Sequence, residues 1–129
     1  MAQILVIDDD SALAQSIKLL LENSNYTVQT CGNGTEGYLT AISPVQPALI
    51  IMDIMMSTDT EGFELARKLK NNPLTRKIPI IALSGIKKAM NLPETDLKDP
   101  DWFPVSEMLN KPVKPETLLS AVEKWLKSS

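Results

Sequence analysis

Three carboxylates, Asp8, Asp9 and Asp53, each stand where an apolar run ends. Asp8 and Asp9 follow Ile4-Leu5-Val6-Ile7, and Asp53 follows Leu49-Ile50-Ile51-Met52; both runs read as buried strands. If these strands lie side by side and parallel, the acids converge at one edge of the sheet. Negative charges brought so close repel one another unless a cation sits among them, and a hard dication with oxygen ligands, Mg²⁺ above all, answers that need. Ser84 closes a further apolar run, Ile80-Ile81-Ala82-Leu83, and Lys111-Pro112 follows Met108-Leu109-Asn110. Acids, a hydroxyl and a lysine at successive strand ends make a site for a phosphoryl group, with a carboxylate as nucleophile and cations to offset its charge.

The elements that must hold these residues follow from periodicity. Apolar runs alternate with segments of helical period, which argues for a parallel sheet with helices on both faces. The first strand covers about Gln3 to Ile7. The first helix runs from about Ser11 to Asn23 with Leu13, Ile17, Leu20 and Leu21 on its inner stripe. A second strand lies near Thr27 to Cys31, and the second helix begins after the Gly32-Asn33-Gly34 turn and ends before Pro44. The third strand carries Asp53. The third helix spans about Gly62 to Lys70 and stops at Asn71-Asn72-Pro73. The fourth strand starts after Pro79, and a short helix is expected from about Ile86 to Asn91. The last helix has Pro115 in its first turn and buries Leu118, Leu119, Val122 and Trp125 or Leu126. Repeated βα units of this kind predict a flavodoxin-like three-layer αβα sandwich with a five-stranded parallel sheet of order 2-1-3-4-5. Ligands bind such sheets at the carboxyl ends flanking the switch point, here between the first and third strands. Topology and residue chemistry therefore indicate the same place.

Composition bounds the chemistry. The chain has 129 residues, 43% of them apolar and 22% charged, which fits one domain with an ordinary core. Its formal charge of −3, with no basic run longer than Lys87-Lys88, argues against direct nucleic-acid binding. No apolar run approaches a membrane span, and the N-terminus leads at once into a strand and acids rather than a signal peptide. A cytoplasmic protein is expected. Cys31, the single cysteine, reads as a buried small hydrophobe. There is no histidine, so His-based triads, His metal sites and a phosphohistidine on this chain are excluded.

The order Ile4-Leu5-Val6-Ile7-Asp8-Asp9-Asp10, Leu49-Ile50-Ile51-Met52-Asp53-Ile54-Met55-Met56, Pro79-Ile80-Ile81-Ala82-Leu83-Ser84-Gly85 and Asn110-Lys111-Pro112 resembles the receiver domain of two-component response regulators. The resemblance covers nearly the whole chain, so residues 1–129 are expected to form a single receiver domain. It implies that Asp53 is the phosphoacceptor and that Asp8, Asp9 and Asp53 hold Mg²⁺, Asp9 directly and Asp8 partly through water. The backbone carbonyl of Met55 completes the protein ligands in that pattern. Lys111 would pair with a phosphoryl oxygen, the Lys111–Pro112 bond would be cis, and the Ser84 hydroxyl would turn inward to the phosphoryl group. Asp10 is left to cap the first helix. The donor implied is a sensor histidine kinase or a histidine phosphotransfer protein, and the output is a downstream protein target or onward relay. Because the chain stops at Lys127-Ser128-Ser129, a stand-alone receiver is expected, with no membrane partner.

Several positions depart from the family pattern. Ser57 replaces the usual proline, and Glu61-Gly62 replaces Asp-Gly with one residue more between it and Asp53. Met108 holds the place of the switch aromatic, so a muted or rerouted change is expected on the neighbouring face. Residues 92–104 read as an acidic, solvated loop, the alternative being that Trp102 and Phe103 anchor it beside the fifth strand and present a partner surface. Met55 and Ile86, both apolar, occupy the positions that usually tune dephosphorylation, and neither can hold an attacking water by a hydrogen bond. Self-dephosphorylation should therefore be slow. Replacing Met55 with Asn or Glu should change the decay rate of the phosphorylated protein, followed by intact mass over time; an unchanged rate would sink the idea.

Other classes fit less well. A phosphohydrolase of the haloacid-dehalogenase type needs a second Asp two residues after the nucleophile, where this chain has Met55. Flavin binding lacks a Ser/Thr/Gly-rich phosphate loop after the first strand. The chain is therefore not expected to be an enzyme beyond its own phosphoryl transfer and slow autodephosphorylation. The remaining alternative is a degenerate receiver that binds partners without phosphorylation.

Overall fold

A computed structural model describes residues 3–54, 61–84, 105–111 and 113–128. Among them lie strands β1 (Gln3–Ile7), β2 (Thr27–Cys31), β3 (Leu49–Asp53), β4 (Ile80–Ser84) and β5 (Glu107–Asn110). The helices are α1 (Ser11–Glu22), α2 (Gly34–Ala41), α3 (Glu61–Asn71) and α4 (Pro115–Ser128). All neighbouring strands pair in parallel, in the order β2-β1-β3-β4-β5. This is the flavodoxin-like sheet that the alternation of apolar runs predicts.

The strands read as continuous apolar runs because both faces of the sheet are covered. Successive side chains point to opposite faces, which divides each run between two cores. Leu5, Ile7, Ile50, Met52 and Ile80 pack with Ala41, Phe63, Ala66 and Leu69 on the side of α2 and α3. Ile4, Val6, Leu49, Ile51 and Ile81 pack with Ala14, Ile17, Leu21, Leu118 and Val122 on the side of α1 and α4. Cys31 is buried in the first core, as expected of a small hydrophobe.

Caps place the helix starts. Asp10 accepts hydrogen bonds from the backbone N–H groups of Ala12 and Leu13, satisfying donors that α1 leaves unpaired. Asn33 accepts from the Glu36 N–H at 2.8 Å. That cap draws Gly34 into α2, so the helix begins at Gly34 rather than after it. Asn25, at φ 73°, makes the left-handed turn from α1 into β2, a conformation that asparagine tolerates better than most residues.

The inner faces of two helices differ from the apolar count. On α1, Ala14, Ile17 and Leu21 are the buried residues, and Leu13 and Leu20 flank them half-buried. The small Ala14 lets the helix axis approach the sheet, and the larger leucines close its sides. On α4, Leu118, Ala121 and Val122 are buried while Leu119, Trp125 and Leu126 are only partly so. The reason for Trp125 is polar. Its indole Nε1 donates to Glu107 Oε1 at 2.7 Å, tying α4 to the start of β5, and that bond keeps one end of the ring near solvent. The expected helix at 86–91 and the loop at 92–104 with Trp102 and Phe103 lie outside the described residues.

Candidate functional site: an acidic cluster at the carboxyl edge of the sheet

The site lies at the carboxyl end of the sheet, where the connections from β1 and β3 diverge. Ile7 stands beside Met52 in the β1–β3 ladder, so the next residues of both strands, Asp8 and Asp53, emerge as neighbours. The chain is held firmly there. The Asp8 N–H donates to the Cys31 carbonyl at 3.0 Å, and the Ile54 N–H donates to the Leu83 carbonyl at 3.2 Å. Carboxylate oxygens of Asp8, Asp9 and Asp53 all lie within 4.8 Å of one another. Lys111, directly after β5, reaches across to donate from Nζ to Asp53 Oδ2 at 2.7 Å. The same Nζ is 3.9 Å from Asp8 Oδ2.

The acids are not equivalent. Asp8 and Asp53 are buried, whereas Asp9 is exposed. Asp8 Oδ1 accepts the Asp10 N–H at 2.9 Å, but its buried Oδ2 has no hydrogen-bond partner among the described residues. Burial pushes the Asp8 carboxyl from its ordinary 3.8 up to about 6. The charges of Asp53 and Asp9 add to that rise, and the Asp10 N–H and Lys111 oppose it.

A divalent cation fits this arrangement. Among the described residues three carboxylates meet here, and the orphaned Asp8 Oδ2 is the oxygen most in need of a ligand. Two ligands of a single Mg²⁺ stand at most about 4.2 Å apart, close to the spread of these oxygens.

Among the described residues Lys111 is the counter-charge to Asp53 and Asp8, so its loss should expose the repulsion. Lys111→Met is expected to cost about 2 kcal/mol of stability at pH 7 in metal-free buffer, less than a fully buried pair because the lysine is partly exposed. Part of that loss should disappear at pH 4, where the Asp8 carboxyl, raised to about 6, has taken up its proton; urea unfolding at the two pH values measures it.

The structure thus brings together Asp8, Asp9, Asp53 and Lys111, as the sequence predicts. Ser84 ends β4 beside Asn110 of β5, one position past the Asp53–Leu83 pair. Its side chain, the Met55 carbonyl and the Lys111–Pro112 bond lie outside the described residues, as do Ser57 and Ile86. Two contributors escape sequence reading. The Glu107–Trp125 bond joins residues far apart in the chain, with no local signal. Gly62 had one: a glycine one residue into a helix is disfavoured, so its presence there calls for a packing reason.

Among known proteins, the model of the response regulator receiver domain matches residues 4–123. The DNA-binding dual master transcriptional regulator RpaA of Synechocystis is 34% identical over 86 residues, 67% of this chain and 35% of that protein. The DNA-binding response regulator MtrA of Mycobacterium tuberculosis is 29% identical over 128 residues, 97% of this chain and 50% of its own length. The chain thus spans about half or less of these curated relatives. The signal receiver domain of a signal transduction histidine kinase from Syntrophus aciditrophicus superposes with a TM-score of 0.84 at 29% identity, covering 99% of this chain and 92% of that one. The chemotaxis response regulator CheY4 of Vibrio cholerae gives 0.81 at 26%, covering 97% and 98%. No described helix is long and apolar enough to cross a membrane.

Proposed function

This chain belongs to the response regulator receiver domain family, and on that premise we propose that it is a Mg²⁺-dependent phosphoryl acceptor whose acceptor is Asp53. The observation that carries the reading is the Lys111 ammonium 2.7 Å from Asp53 Oδ2, with Asp8 and Asp9 beside it. The donor is the phosphohistidine of a sensor histidine kinase or a histidine phosphotransfer protein. The whole chain, residues 1–129, acts as one receiver domain.

In the transfer, a carboxylate oxygen of Asp53 forms a bond to phosphorus as the phosphorus–nitrogen bond of the donor breaks. The electron pair returns to the donor imidazole. Asp53 is already placed by β3, so little rearrangement precedes attack. Asp8, Asp9 and Asp53 would hold the metal, together with the Met55 carbonyl. Bound Mg²⁺ supplies the positive charge that lets an anionic carboxylate meet an anionic phosphoryl group. Lys111 follows the charge from the carboxylate to a phosphoryl oxygen, and the Ser84 hydroxyl, at the end of β4, donates to another. Those two shifts at the ends of β4 and β5 change the surface offered to a downstream protein target, or the group is passed on in a relay. A conformational preference of a few kcal/mol suffices for such a switch.

The test is intact mass after incubation with acetyl phosphate, with and without Mg²⁺. A single phosphoryl adduct that needs Mg²⁺ is expected. No adduct under either condition, and no response to beryllofluoride, would overturn the reading.

A further inference from the structure

We propose that Gly62 is a positioning residue for the acid site: its missing side chain lets the first turn of α3 rest on the backbone of Ile54 and thereby fixes where Asp53 stands. The inference deepens the phosphoryl-acceptor reading and rests on it. A Cβ built on Gly62 would lie 2.5 Å from Ile54 Cα, 2.8 Å from its carbonyl oxygen and 3.0 Å from its carbonyl carbon. These are backbone atoms, which cannot rotate away as the end of a side chain can.

Neither side of this contact can yield alone. Helix α3 is anchored by Phe63, Leu65, Ala66 and Leu69, all buried in the core on that face of the sheet. Ile54 is itself fully buried and tied by its N–H to the Leu83 carbonyl. A methyl group at position 62 must therefore shift the first turn of α3 and the Ile54 backbone apart, and Asp53 is the residue bonded to Ile54. The Asp53 carboxylate has little room for that movement, with Lys111 Nζ at 2.7 Å and the other acids within 4.8 Å. A misplacement of about 1 Å at a reacting group can cost about 100-fold in rate.

Gly37 provides the contrast. A Cβ there would also meet a neighbour at 2.5 Å, but the neighbour is Cδ1 of the Ile7 side chain, followed by Cγ1 at 2.9 Å. That side chain can turn, while the Ile7 backbone stays locked between Cys31 and Met52 of the flanking strands. The two glycines share tight packing and differ in whether backbone next to the site must move.

The experiment compares Gly62→Ala and Gly37→Ala with wild type. Mg²⁺ affinity is read by calorimetric titration, phosphorylation rate by intact mass with acetyl phosphate, and stability by urea unfolding. Gly62→Ala should weaken Mg²⁺ binding about tenfold and slow phosphorylation about 100-fold. Gly37→Ala should lose stability yet keep both quantities within about twofold of wild type, because its clash is relieved by side-chain rotation. Equal behaviour of the two variants, or a Gly62→Ala protein matching wild type in both readouts, would overturn the proposal. So would a Gly62→Ala protein that stays unfolded even in trimethylamine oxide, which would place the glycine's role in the core alone. If wild type itself neither binds Mg²⁺ nor takes up a phosphoryl group, the reading of the site falls first and this inference with it.

Discussion

Asp53→Asn should take up no phosphoryl group from acetyl phosphate and Mg²⁺ under conditions that convert wild type. The amide is a poor nucleophile, and neither carboxylate beside it among the described residues can replace it. Asp8 is buried with one oxygen committed to the Asp10 N–H, and Asp9 is exposed, outside the contact with Lys111 that holds Asp53. Intact mass after the reaction reads the result, and an adduct of undiminished yield would show that the acceptor lies elsewhere. The variant should also report on Asp8. Removing the Asp53 charge takes away one cause of the raised Asp8 carboxyl and frees Lys111, 3.9 Å from Asp8 Oδ2, to approach it. The Asp8 carboxyl should then fall from about 6 toward its ordinary 3.8, stopping short because burial, the largest cause, remains. A carbon-13 NMR titration of the Asp8 carboxyl follows that fall.

The order of the sheet and the meeting of Asp8, Asp9, Asp53 and Lys111 were legible because each strand is buried on both faces. Such strands leave unbroken apolar runs, and the first polar residue after each run marks the sheet edge. What could not be read depends on distance between elements rather than on residue type. Apolarity alone ranks Leu13 and Leu20 above Ala14, yet Ala14 is the buried one, since the closest point of a helix to a sheet favours a small side chain. Glu107 looks like a charge misplaced in a strand until Trp125 supplies its donor from another element. Gly62 was visible as part of a Glu-Gly pair, but its reason is the Ile54 backbone.

The acids themselves show the same limit. Side by side in sequence, Asp8 and Asp9 look interchangeable as metal ligands. Folding separates them: Asp9 faces solvent, while Asp8 lies buried with an oxygen that no described residue hydrogen-bonds. The fold thus holds Asp8 in an unfavourable state that a cation would relieve, and stability is given up at the place where binding is needed.

That trade predicts that Asp8→Asn makes the metal-free protein more stable at neutral pH while removing its response to Mg²⁺. The sign follows from the direction of the shift. A carboxyl whose folded value is about 6 against an ordinary 3.8 binds its proton more tightly folded than unfolded. Its favourable contribution is complete below pH 3.8 and is lost as pH rises through about 6. Above that, the ionised and buried Asp8 costs on the order of 3 kcal/mol. Asparagine keeps an oxygen to accept the Asp10 N–H but has no proton to lose. At pH 7.5 without divalent ions, the variant should therefore exceed wild type by up to about 3 kcal/mol, roughly 10 °C in Tm. The two should converge near pH 4. Saturating Mg²⁺ then acts in the opposite sense: at about 100 times Kd it stabilises wild type by about 2.7 kcal/mol, while the variant, lacking a buried anionic ligand, should gain little. Urea unfolding at pH 4 and pH 7.5, each with and without Mg²⁺, tests both halves. Equal stability at pH 7.5 in metal-free buffer would mean that Asp8 is not strained by burial, and an equal Mg²⁺ response would remove it from the metal site.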